Sequence, residues 1–119
     1  MKKMIKIDNT EYFMQSSAYT QFAYKNETGR SLLADLESLI SITRNKNEND
    51  YSVDDLDKCT ELVLKIAYIM IQEADPKQSL NYESFIKSID SLYDNTDWIE
   101  EVILLACTPI SRQLQNLKK

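Results

Sequence analysis

The residues with the most evident chemical potential are Asp54, Asp55 and Asp57, with Cys59 close behind. Paired carboxylates can hold a divalent cation or move protons. The same acids also suit the first turn of a helix, where the macrodipole favours negative charge. Ser52, ahead of them, gives the run Ser52-Val53-Asp54-Asp55 the form of a capping box, and we take this structural reading. Glu100 and Glu101, at the start of a later apolar stripe, have the same explanation. Cys59 and Cys107 belong to no Cys-x-x-Cys pair, so a zinc site would need carboxylates for most of its ligands. Two reduced thiols set in helices are expected instead. There is no His, which removes Ser-His and Cys-His catalysis and the commonest transition-metal ligand. A single glycine, Gly29, cannot build a phosphate-cradling loop. No spacing of Ser, Thr and Lys singles out a nucleophile and its base. The chain is therefore read as a non-enzyme with no catalytic residue, no metal site and no cofactor.

Charge narrows the partners. Fourteen Lys and Arg stand against nineteen Asp and Glu in 119 residues, a net charge of -5. Nucleic-acid binding usually needs a basic footprint, and only Lys2, Lys3 and Lys6 lie close together, so nucleic acid is not expected as a partner. The strongest apolar stretch, Leu62 to Ile71, is broken by Lys65 and is far short of a membrane span. No apolar run near the N-terminus has the length of a signal peptide, and a cytoplasmic protein is expected. Seven tyrosines remain, at 12, 19, 24, 51, 68, 82 and 93. Tyrosine covers apolar area and keeps a polar tip, which suits both the rim of a small core and an interface. Most are assigned to the rim; Tyr12, Tyr19 and Tyr24 are the ones placed to serve an interface.

The elements that position these residues are those of a mainly α fold, a small domain of about five helices with an N-terminal β-hairpin. The length fits one domain over 1–119. Met4-Ile5-Lys6-Ile7 alternates and Tyr12-Phe13-Met14 is rich in strand formers, with turn residues Asp8-Asn9-Thr10 between, so residues 3–15 read as the hairpin. A helical body then spans 18–107. Its first helix covers Ala18 to Asn26, with Tyr19, Phe22 and Ala23 on one face, and Gly29 falls where a left-handed C-cap belongs. Leu32, Leu33, Leu36, Leu39 and Ile40 form the stripe of the second helix over residues 31 to 42, with Asp35 and Glu37 off it. Arg44 to Tyr51 is polar and aperiodic, a loop. Leu56, Cys59, Val63, Ile66, Ala67 and Met70 mark a central helix that Asp75-Pro76 stops. Tyr82 to Leu92 is a fourth helix, capped by Asn81. After the turn cluster Asp94-Asn95-Thr96-Asp97, Trp98 to Ala106 is a fifth, which Pro109 breaks or follows with a final turn. Residues 111–119 read as a polar, flexible tail. The expected core is Leu33, Leu36, Ile40, Leu56, Val63, Ile66, Phe85, Ile89, Trp98 and Val102.

The order of these features resembles a known family. A strand pair, Ile5-Lys6-Ile7 then Glu11-Tyr12-Phe13, precedes Ser17-Ala18-Tyr19-Thr20-Gln21-Phe22-Ala23-Tyr24-Lys25. Glu27-Thr28-Gly29-Arg30-Ser31-Leu32-Leu33-Ala34-Asp35-Leu36 follows, with Ser31 where the family often has Asp. The order is similar to that of the tail assembly chaperones of long-tailed phages and prophages of Gram-positive bacteria. The resemblance implies a protein of the bacterial host cytoplasm that binds the tape-measure protein, helps recruit tail-tube protein and stays out of the virion, as a monomer or a homo-oligomer. Tyr12, Tyr19, Phe22, Tyr24, Gly29 and Arg30 are then the candidate protein-interaction residues. The family also implies a longer product made by ribosomal slippage, for which Asn116-Leu117-Lys118 can be encoded as U UUA AAA. Two readings stand beside this one: a small acidic regulatory or inhibitor protein that binds a partner protein, and a helical domain that binds a small ligand.

Overall fold

The computed structural model describes residues 1–44, 53–77, 81–93 and 95–118, with side chains at all of these except 43, 44, 53 and 111–118. Strands β1 (Lys2–Ile7) and β2 (Thr10–Gln15) are followed by helices α1 (Ala18–Thr28), α2 (Leu32–Arg44), α3 (Val53–Ala74), α4 (Tyr82–Lys87) and α5 (Asp97–Lys118). This is the mainly α domain with an N-terminal hairpin that the periodicities require. The loop after Arg44, the capping role of Ser52 and the turn position of Asp94 lie outside the described residues.

β1 and β2 pair antiparallel, from Lys2 opposite Gln15 to Ile7 opposite Thr10. The turn is Asp8-Asn9, and Asp8 takes φ 57°, a left-handed conformation that Asp tolerates better than most residues. The pleat sends Ile5, Ile7 and Met14 inward with no exposure at all. It sends Met4 and Phe13 outward, half exposed. A hairpin alone is marginal in water; here β2 lies along α3 and β1 against α5. The turn is also fastened, because Asp8 Oδ2 accepts from the backbone N–H groups of Asp90 and Ser91 at 3.2 and 3.3 Å.

α3 and α5 form the centre. Val63, Ile66, Ala67 and Met70 on α3 and Trp98, Val102 and Ala106 on α5 are buried. Phe85 of α4 is fully buried and meets Tyr12 edge-on, with centroids 5.3 Å apart, and stacks with Tyr68 at 6.2 Å. Trp98 donates its indole N–H to the Leu92 carbonyl at 3.2 Å. Buried indole nitrogens need such a partner, and this one ties the start of α5 to the chain leading into it.

Several expectations require correction. Leu33 is 43% exposed and belongs to the surface. The buried row of α2 is Leu32, Asp35, Leu36 and Leu39, an i, i+3, i+4, i+7 stripe with a carboxylate inside it. Leu56, Ile40 and Ile89 are only partly buried. The fourth helix ends at Lys87 rather than near Leu92. Ser88 closes it by donating its hydroxyl to the Phe85 carbonyl at 2.6 Å. The following N–H groups at Asp90 and Ser91 turn instead to Asp8. Ile89 and Leu92 still pack on the core, from outside a helix. Pro109 does not end the last helix, which continues to Lys118 through the segment read as a flexible tail.

Candidate protein-interaction surface

The six residues singled out from the sequence separate into three groups. Tyr12 is half buried at the rim of the core, its ring against Phe85 and its hydroxyl 2.9 Å from Ser88 Oγ. Tyr24, Gly29 and Arg30 are brought together at the joint between α1 and α2. Tyr19 and Phe22 stand on the outer face of α1, 60% and 65% exposed.

The joint is a polar knot around Asp35. The Tyr24 hydroxyl donates to Asp35 Oδ2 at 2.6 Å. Arg30 adds a two-pronged contact, Nε to Oδ2 at 2.9 Å and Nη2 to Oδ1 at 2.8 Å. Planar guanidinium matches carboxylate in this arrangement. The Arg30 hydrogen bond holds the Asp35 carboxyl below its ordinary value, against the opposing effect of burial. Burial, followed by the bond to Asp35, raises the Tyr24 hydroxyl well above the usual tyrosine range, so it remains a donor. Gly29 allows the chain to reach this geometry. It caps α1 at φ 72° with its N–H on the Lys25 carbonyl at 2.8 Å. Thr28 supports the turn, donating to the Tyr24 carbonyl and accepting from the Arg30 N–H.

The other end of α1 is equally tied. Ser17 is its N-cap in a reciprocal capping box with Thr20. Both hydroxyls also donate to Glu73 near the end of α3, at 2.8 Å from Ser17 and 2.6 Å from Thr20. Ser16 donates to the Leu105 carbonyl of α5 at 2.7 Å. These bonds set the rotation of α1 about its axis. Thr20 and Tyr24 face inward and are buried. The face that carries Tyr19 and Phe22 is turned to solvent. Of Tyr19, Phe22 and Ala23, which share a face by spacing, only Ala23 packs against the core.

Sequence reasoning missed Asp35 and Glu73, the two acceptors that orient α1, because a single carboxylate carries no spacing signal. It also missed Met4 and Phe13 as exposed residues. Their signal was present: they are paired across the ladder and alternate with Ile5, Tyr12 and Met14. Lys2 lies 6.0 Å from the Phe13 ring centroid on that outer face. Among the described residues, no buried side-chain nitrogen or oxygen lacks a hydrogen-bond partner. None of them forms a group of three or more His, Cys, Asp or Glu placed to hold a metal.

The chain matches no family model, no curated protein and no solved structure. A fastened helix that presents Tyr19 and Phe22 outward leaves two large rings whose burial is each worth about 1.5–3 kcal/mol. Leu33 and Leu104 are further exposed apolar side chains. No helix among the described residues is long and apolar enough to cross a membrane.

Proposed function

We propose that the protein is a tail assembly chaperone that binds the tape-measure protein and assists tail-tube assembly without entering the virion. The observation that carries this reading is the outward aromatic face of α1, Tyr19 and Phe22. It lies within the segment whose residue order resembles that family. A helix presenting aromatic side chains one turn apart is suited to cover the apolar face of another helix. The net charge of -5 supports it, since an acidic partner keeps an apolar complex dispersed. Co-expression with a tape-measure protein is expected to raise that protein's soluble fraction and to yield a complex that co-purifies. An unchanged soluble fraction with no co-purification refutes the reading.

A further inference from the structure

The hairpin carries an open edge beside a groove. The Ser16 N–H bonds to the Met1 carbonyl at 2.8 Å and the Met1 nitrogen to the Ser16 carbonyl at 2.7 Å. That reciprocal exchange sets the parity of the ladder: residues paired at odd β1 positions bond to each other, and those between them point their backbone groups away. On β2 the outward groups are those of Glu11, Phe13 and Gln15. None of them makes a further backbone or side-chain hydrogen bond among the described residues. A groove of about 420 Å³ runs along this edge, between the hairpin and the last turn of α3. Met4, Tyr12, Phe13, Ile71 and Ala74 supply its apolar lining, and Glu11 and Asp75 its charge. No ion pair among the described residues reaches either carboxylate. Lys6 stands across the ladder from Glu11, on the strand away from α3.

We infer that the β2 edge and this groove accept an extended segment of a partner protein as a third strand, apolar on alternate residues and basic between them. Backbone pairing to Glu11, Phe13 and Gln15 supplies the register. The alternation puts the basic side chains beside Glu11, on the face it shares with Phe13, and the apolar ones on the other face, toward Tyr12, Ile71 and Ala74. The charge selects this occupant over a second copy of the chain. β2 contains Glu11 and no Lys or Arg, so a second copy of this edge brings no basic side chain to Glu11 or Asp75. Natural edge strands are commonly protected by lysine, and here the lysines lie on β1 while β2 has none. The inference does not rest on the chaperone reading, because it uses a different face and a different partner conformation.

The test uses the full chain and a synthetic peptide of about ten residues alternating valine with lysine, with a valine–glutamate peptide as control. Amide NMR shifts are expected at residues 11–15 and 71–75, with slowed exchange of the Glu11, Phe13 and Gln15 amides. Binding of the lysine peptide is expected to exceed that of the glutamate peptide by about tenfold or more, a difference of about 1.4 kcal/mol. Glu11→Lys is expected to abolish that preference, and Phe13→Ala to weaken the lysine peptide; both sites are on the surface, so folding is retained. Equal affinity for the two peptides, or shifts centred on Tyr19 and Phe22, overturns the proposal. So does a dimer in which the three outward amides are already protected without peptide.

Discussion

Tyr24, Arg30 and Asp35 exchange three hydrogen bonds of 2.6–2.9 Å, and only the carboxylate and the phenol are buried. A hydrogen bond to a charged group contributes about 1.5–3 kcal/mol. Tyr24→Phe is therefore expected to lower unfolding free energy by about that amount in urea titrations, with little change of secondary structure. The pH dependence has a definite sign. Asp35 is depressed in the folded state by Arg30, so its stabilisation is complete above the unfolded carboxyl value of about 4 and is lost as pH falls through the lower folded value. Wild type should lose stability across that acid window, and Asp35→Asn should flatten that part of the profile while lowering stability at neutral pH. A variant with the wild-type acid slope would show that another carboxylate sets it. The Leu33 and Leu36 pair gives a second contrast at this scale. Leu36→Ala removes a side chain 3% exposed and is expected to cost about 2–5 kcal/mol. Leu33→Ala, at 43% exposure, is expected to cost less than about 1 kcal/mol. Equal losses in thermal or denaturant unfolding would contradict the assigned face of α2.

At the scale of elements, α1 is held by its ends rather than by an apolar stripe. Gly29 shows this most directly: a Cβ built there meets nothing within 4 Å, so only the backbone at φ 72° opposes substitution. Gly29→Ala is expected to cost about 1–2 kcal/mol and Gly29→Asn less, since Asn visits that conformation more readily. If both variants unfold like wild type, the C-cap does not constrain the joint. The same feature explains what was legible in the chain. Helices α2, α3 and α5 announce themselves because leucine, isoleucine and valine recur at three and four. The hairpin does so by alternation, and the caps at Gly29 and Asn81 by residue type. The orientation of α1 was not legible. Its sequence offers a better apolar face through Tyr19 and Phe22 than through Thr20 and Tyr24, and long-range bonds from Glu73 and Asp35 override it. The early end of α4 was hidden for the same reason, since its competitor, Asp8, is 82 residues away from Asp90. Of the candidate interaction residues, Tyr19 and Phe22 are exposed on α1, whereas Tyr12 is half buried and Tyr24 is buried.

For the whole molecule, the distribution of exposed apolar groups matters more than any one of them. The core gathers both strands and all five helices around α3 and α5, with Ile5, Met14, Tyr24, Leu39, Phe85 and Trp98 all at or near zero exposure. Tyr19 and Phe22 remain outside, on a helix whose two ends are fixed by hydrogen bonds to Glu73 and Asp35. That fixed orientation is the physical basis for reading its face as a binding surface. The most direct measurement is co-purification of the tape-measure protein with the wild-type chain and with the Tyr19→Ser, Phe22→Ser double variant, each co-expressed with it. Both side chains are exposed, so the variant should unfold within about 1 kcal/mol of wild type. The account predicts that wild type retains the tape-measure protein and that the double variant loses about tenfold or more of it. No retention by wild type, or equal retention by the folded variant, would contradict it.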